Sequence, residues 1–227
     1  MSPFQENRKI ENEILESTYQ DFPHEIATLE EGYDLVIKTI DFLYESSKEK
    51  NYSLKHLSIF SLFPRMILTM SSFFSLAFRG YYYDAMSLLR GWIEALGLMR
   101  YLYRNNEAVD HWLNGHLDVS SISLFYEVWE PEFYRKRDTS KLYGALCDNI
   151  HSNIRAVQEL LAFNGKSVVT TRLESTYLEN EAKNLMNMNL PYMLLYNIHI
   201  IFNDYLNDEV KTEQNNYRKK IRNTIIK

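Results

Sequence analysis

Hydrophobic residues recur at intervals of three and four along most of the chain, which is the spacing of one face of an α-helix. Residues 4–20 and 24–48 show this spacing among many acidic residues, and both stretches predict amphipathic surface helices. The pattern continues through a core at roughly 24–208 and ends in an amphipathic, basic helix at 210–226. We therefore predict an all-α protein, with residues 1–227 forming a single bundle of long antiparallel helices.

Prolines, glycines and capping residues divide the pattern into separate helices. The residue before a proline disfavours helical backbone, and Ser, Asn and Asp cap helix starts. We predict a helix end at Pro23, a start at Ser53, a kink at Pro64, a start at Asn105 or Asn106, and a kink near Pro191. The apolar segment after Tyr81 can continue the helix before it. Residues 168–171 are the one β-branched run and predict an extended connector.

Composition favours helices and an intracellular location. The chain has 32 aromatic residues but 7 Gly and 5 Pro, a balance that suits helices better than turn-rich sheets. Its single cysteine, Cys147, cannot form an internal disulfide, and the charged N-terminus lacks the apolar stretch of a signal peptide. Residues 57–78 are apolar, but Pro64 and Arg65 divide them into pieces shorter than the ~20 residues that span a bilayer. We expect a cytoplasmic protein, no membrane partner, and a buried helix here.

Charge is distributed unevenly along the chain. Residues 1–50 carry 5 basic and 12 acidic side chains, whereas residues 211–227 carry 6 basic and 1 acidic. The two ends can pair within one molecule or between two, the basic end can meet RNA or another anionic partner, or both can be solvated helix faces. A surplus of apolar helix surface, which includes Trp92, Trp112 and Trp129, predicts self-association.

Several common chemistries lack their motifs. The sequence contains no glycine-rich phosphate loop and no nucleophile elbow. His111 and His116 are five apart, so they do not share a helix face as zinc ligands must, and Cys147 has no second cysteine. Asp148-x-x-His151 resembles the Glu-x-x-His motif of di-metal helical bundles, but it has Asp, the shorter acid, in place of Glu. We expect neither a metal nor a cofactor.

Polar side chains form one stripe on the apolar segment 79–105. If this segment is one helix, Arg79, Tyr83, Arg90 and Glu94 fall within about 60° of each other in projection. A buried charge must be paired, and Arg90 can pair with Glu94 at i and i+4. Two arginines against one glutamate leave a positive surplus. The stripe therefore predicts either an internal polar network or a site for an anionic ligand or for catalysis.

The motif LLRGWIEALGLMRYLY, followed by YGALCDNIHSN, resembles an uncharacterised bacterial family of all-α domains of unknown function. The matching positions are Arg90, Glu94, Tyr143, Leu146 and His151. Family members usually carry Ser where this chain has Cys147. The resemblance implies the fold but no reaction, and it implies that His151 approaches the stripe, as a general acid or base or as a neutral core imidazole. The expected network comprises Arg79, Tyr83, Arg90, Glu94, Tyr143, Asp148 and His151.

A second resemblance concerns Arg104 and His111. Their R-x6-H spacing is similar to that of the HEPN superfamily of helical toxins and antiviral ribonucleases. There an Arg and a His would stabilise charge and move protons at a scissile phosphate. Asn105 and Asn106, as cap residues, would place the two side chains on opposite sides of a turn. We expect a regulatory or protein-binding role, and a metal-independent ribonuclease of toxin or defence type is the alternative.

Overall fold

The computed structural model describes residues 2–128, 141, 143–147 and 179–225. Within these ranges every regular element is an α-helix, and the all-α prediction is confirmed. The helices are α1 (Pro3–Asp21), α2 (Pro23–Glu49), α3 (Leu54–Phe60), α4 (Phe63–Ala77), α5 (Tyr82–Arg104), α6 (Asn106–Leu113), α7 (Ser121–Val128), α8 (Glu179–Asn187), α9 (Leu190–Phe202) and α10 (Asp208–Ile225). Residues 143–147 are also helical.

Two proline kinks predicted from the sequence are helix breaks instead. Pro64 lies in the first turn of α4, and Pro191 lies in the first turn of α9. A proline costs nothing there, because the first-turn N–H groups have no partner within the helix. Before α9, Asn189 adopts a left-handed φ of 39°, and its side chain accepts a hydrogen bond from the Tyr192 N–H at 3.0 Å.

The segment after Tyr81 does not continue the preceding helix. Gly80 has a φ of 84°, which reverses the backbone after α4. The Tyr81 N–H donates to the Leu76 carbonyl at 3.0 Å and the Gly80 N–H donates to the Ala77 carbonyl at 3.2 Å, a Schellman pattern. As a result α4 and α5 are separate helices that pack side by side.

Helix α5 lies at the centre of the packing. It contacts α3, α4, α6, α7, α8 and α9, while α2 packs against α1, α8, α9 and α10 on another side. The largest fully buried side chains include Trp92, Phe63, Phe125 and Phe202. The Trp92 indole N–H donates to the Met66 carbonyl at 3.1 Å, which satisfies its one polar atom inside the core.

The acidic and basic ends of the chain meet within one molecule. Lys220 on α10 pairs with Glu31 on α2. A second ion pair has the basic residue on α2 and the acidic residue on α10: Lys38 contacts Glu213 at 2.7 Å. These exposed pairs show that the two oppositely charged ends reach each other without a second copy.

Candidate functional site

The centre of the predicted stripe is an ion pair on α5. Arg90 Nε donates to Glu94 Oε1 at 2.9 Å, one helical turn away. The Arg90 side chain is 18% exposed and that of Glu94 is 25% exposed, so the pair is half-buried. The hydrogen bond to Glu94 raises the pKa of Arg90 above its ordinary value. The guanidinium is therefore charged and already has a carboxylate partner.

The helical segment 143–147 packs against this pair. The Arg90 guanidinium lies over the Tyr143 ring, 5.4 Å from its centroid, and Phe125 meets the same ring edge-on at 4.9 Å. Burial raises the pKa of the Tyr143 phenol, which is hence neutral at physiological pH. Leu146 is fully buried. The structure thus brings Tyr143 to Arg90 and Glu94 as a packed polar cluster.

Of the other predicted members of the stripe, Arg79 is held elsewhere. Arg79 follows α4, where its Nη1 donates to the Ser75 hydroxyl at 2.7 Å and the Ser75 carbonyl at 3.1 Å. The expectation that Arg79 and Arg90 share one helix is wrong, because Gly80 ends the first helix. Tyr83 lies in the first turn of α5. Asp148 and His151 lie outside the described residues.

Arg104 and His111 occupy different helices. Arg104 is the last residue of α5, and its Nη1 pairs with Glu127 of α7. His111 lies exposed in the last turn of α6. Between them Asn105 donates its side-chain amide to the Tyr101 carbonyl at 2.9 Å and closes α5. The arginine of the R-x6-H motif is therefore held by a carboxylate, and its catalytic role stays a prediction.

His56 is a more enclosed histidine, which the sequence pattern did not single out. His56 on α3 shares hydrogen bonds with the Ser53 hydroxyl at Nδ1, 2.7 Å, and with the Ile201 carbonyl at Nε2, 3.2 Å. Tyr205 packs edge-on against it at 4.9 Å. Burial lowers the pKa of His56 below its ordinary value. Because both ring nitrogens are engaged, His56 joins α3 to α9 rather than facing a substrate. Its one signal in the sequence is the Ser-x-x-His spacing at the start of a helix.

The α3–α4 region is less buried than the sequence suggested. Among the described residues, the stretch Leu54–Ala77 is long and apolar enough to cross a membrane, and 33% of its most apolar window is buried. Leu68 is 69% exposed on α4. Beside it an apolar groove of about 200 Å³ lies between α2 and α4, lined by Leu29, Glu30, Tyr33, Asp34, Ser71, Phe74 and Phe78. The expected buried helix is buried along one face, which carries Phe63, Met66, Met70 and Phe73, and is exposed at Leu68.

Within the described ranges, no three His, Cys, Asp or Glu side chains come together as a metal site would require. No family model, curated protein or solved structure matches the chain. The two sequence resemblances consequently stay predictions.

Proposed function

We propose that this is a cytoplasmic protein with a regulatory or protein-binding role, that it works as a homo-oligomer, and that α4 forms the contact between two copies. The observation that carries the proposal is the exposed Leu68 beside an apolar groove on the same surface. An exposed apolar side chain next to an apolar groove is the composition of a protein interface.

Leu68 and the groove complement each other across a two-fold axis. In a symmetric dimer the same patch of both copies meets, so each copy offers one projection and one recess. Leu68 projects from α4, and Phe74 and Phe78 of the same helix line the groove. A two-fold arrangement places Leu68 of each copy towards the groove of the other and removes both from water.

The rest of the exposed α4 surface suits close antiparallel packing. Ser71, Ser72 and Ser75 are exposed on the side of the helix that carries Leu68. Such small side chains let two helices approach closely. The centre of this surface lies between Ser71 and Ser72, and an antiparallel pair crossing there sets Leu68 opposite Ser75 of the second copy.

Charge complementarity supports the same register. With the helices crossing near Ser71, the exposed Arg65 of one copy lies level with Phe78 of the other. Glu30 lines the groove at that end, since Tyr19 contacts both the Glu30 carboxylate at 3.4 Å and the Phe78 ring at 6.0 Å. Two Arg65–Glu30 pairs, one at each end, would fix the orientation of the dimer.

A protein occupant fits this surface better than a bilayer does. Helix α4 contains 15 residues, and α3 before it contains 7, with a break between them. Although the stretch Leu54–Ala77 is long enough in total, a membrane span is usually one uninterrupted helix of about 20 residues, and lipid offers no partner for the guanidinium of Arg65 on the exposed face. A second copy can satisfy both the apolar and the polar groups.

Sedimentation or light scattering of three proteins tests the proposal. The wild type should be a dimer at tens of micromolar, and Leu68→Glu should be a folded monomer. Leu113→Glu is the matched control, because Leu113 is 51% exposed on α6, away from the groove. A monomeric wild type, or equal dissociation by both variants, would contradict the proposal. So would wild-type binding to lipid vesicles that Leu68→Glu abolishes, since that result assigns the surface to a membrane.

A further inference from the structure

A recess of about 230 Å³ lies between α4 and α5. Arg65, Met66 and Thr69 line it from α4, and none of these three residues lines the groove against α2. The two depressions therefore lie on different sides of α4. Since an apolar cavity of about 150 Å³ accommodates benzene, this recess has room for a ligand of about eight heavy atoms.

Gly91 opens the recess on the side of α5. It lies in the interior of that helix, where glycine is less favourable than alanine, and Leu88 and Ala95 line the recess beside it. Gly97 of the same helix has a packing reason, because a Cβ atom there would collide with the Leu124 carbonyl. A Cβ atom on Gly91 would have nothing within 4 Å. No contact among the described residues therefore requires this glycine, and its missing side chain leaves space for a molecule outside the chain.

Arg65 is the one charged residue in the wall of the recess. It is exposed, and the ion pairs between described residues do not include it. Two other donors of the wall have partners inside the protein. The Thr69 hydroxyl donates to the Arg65 carbonyl at 2.9 Å, and the Trp92 indole N–H donates to the Met66 carbonyl at 3.1 Å. The recess thus combines one cation with a mainly apolar wall.

We propose that the α4–α5 recess binds an aliphatic carboxylate of about six carbons. The planar guanidinium of Arg65 donates two parallel N–H bonds to the carboxylate. The alkyl chain lies over Gly91 against Leu88 and Ala95, where it leaves water. One carboxylate balances the single positive charge of the wall, whereas a phosphate dianion would need a second cation.

The ligand would also regulate the dimer, a consequence that rests on the proposed function. In that dimer Arg65 pairs with Glu30 of the other copy. The same guanidinium cannot hold the ligand and Glu30 in two parallel bonds at once, so the carboxylate competes with the second copy. Occupancy of the recess should therefore weaken the dimer at both of its ends.

Isothermal titration with hexanoate tests the recess directly. Hexanoate has eight heavy atoms, and the wild type should bind it with saturable heat and one site per chain. Acetate lacks the alkyl chain and 1-hexanol lacks the charge, so each should bind at least about tenfold more weakly. The absence of saturable heat with hexanoate, or equal affinity for 1-hexanol, would overturn the site.

Two variants locate the binding. Gly91→Leu fills the recess from its exposed side, so it should abolish hexanoate binding while the Tm stays at or above that of the wild type. Gly144→Leu is the matched control and should bind normally, because a Cβ atom on Gly144 also has nothing within 4 Å and this residue does not line the recess. Arg65→Gln should weaken hexanoate about tenfold and leave 1-hexanol unchanged. Hexanoate binding that Gly91→Leu retains would overturn the assignment.

Sedimentation with and without hexanoate separates this site from the dimer contact. Hexanoate should shift the wild type towards the monomer, and 1-hexanol at the same concentration should not. Saturable heat in a protein that is monomeric throughout would support the recess and refute the proposed dimer alone. A dimer that stays intact at saturating hexanoate would refute the competition for Arg65.

Discussion

Two glycines of α5 should respond in opposite ways to the same substitution. A Cβ atom built on Gly97 would lie 2.0 Å from the Leu124 carbonyl oxygen and 2.6 Å from the Leu124 carbonyl carbon. Gly91 has nothing within 4 Å of such an atom. The structure therefore predicts that α7 packs backbone to backbone on α5 at Gly97, whereas Gly91 faces open space.

The magnitudes follow from helix propensity and steric overlap. Gly91→Ala should stabilise the protein by about 0.5–1 kcal/mol, the gain from alanine in a helix interior. Gly97→Ala gains the same amount but must displace α7, because a backbone carbonyl cannot rotate away as a side chain can. Overpacking costs about 1–3 kcal/mol, and a backbone contact belongs at the upper end. A net loss of about 2 kcal/mol results for Gly97→Ala.

Calorimetry or circular dichroism measures the difference. At about 2–4 °C per kcal/mol for a chain of this size, Gly91→Ala should melt a few degrees above the wild type and Gly97→Ala about 4–8 °C below it. If Gly97→Ala is as stable as Gly91→Ala, then α7 does not approach α5 as described.

Two further outcomes are expected. A double-mutant cycle should give Arg90 and Glu94 a coupling energy of about 1 kcal/mol. Lys9 and Glu13 have the same spacing but are 67% and 62% exposed, and their coupling energy should be about 0.3–0.5 kcal/mol. Equal coupling energies would contradict the half-buried cluster. Because its folded pKa lies below the ordinary 6.5, His56 takes up its proton more readily when unfolded, so unfolding free energy should fall as pH drops from about 7.5 to about 5.5. His56→Gln should flatten this dependence, and an unchanged slope would argue against the enclosed imidazole.

The helical class was predictable because periodicity is a local property of the chain. The positions at which one helix ends and the next begins were not predictable in the same way. In the sequence, Pro64 and Pro191 are compatible both with a kink inside a helix and with the start of a new helix. A proline is tolerated in the first turn of a helix, where both are found, and is disruptive one turn later. The end of α4 depends on the positive φ of Gly80, which glycine allows but does not require.

The candidate sites show the same division between local and distant contacts. The Arg90–Glu94 pair could be found from its i, i+4 spacing, because both partners lie on one helix. The contact of Arg100 with Tyr196 could not be predicted, because the two residues lie on helices far apart in the chain. Leu68 lies in a strongly apolar segment, and its exposure depends on which neighbours pack against α4 rather than on its own pattern.

Disulfide cross-linking across the proposed axis tests the α4 contact most directly. In a Cys147→Ser background, a cysteine at Ser72 lies near the centre of the proposed antiparallel pair, whereas a cysteine at Leu113 is also exposed but lies outside it. Because a disulfide requires Cα atoms within about 7 Å, mild oxidation should convert Ser72→Cys into a reducible covalent dimer and leave Leu113→Cys monomeric. A Ser72→Cys protein that stays monomeric, or that cross-links no better than Leu113→Cys, would contradict the contact.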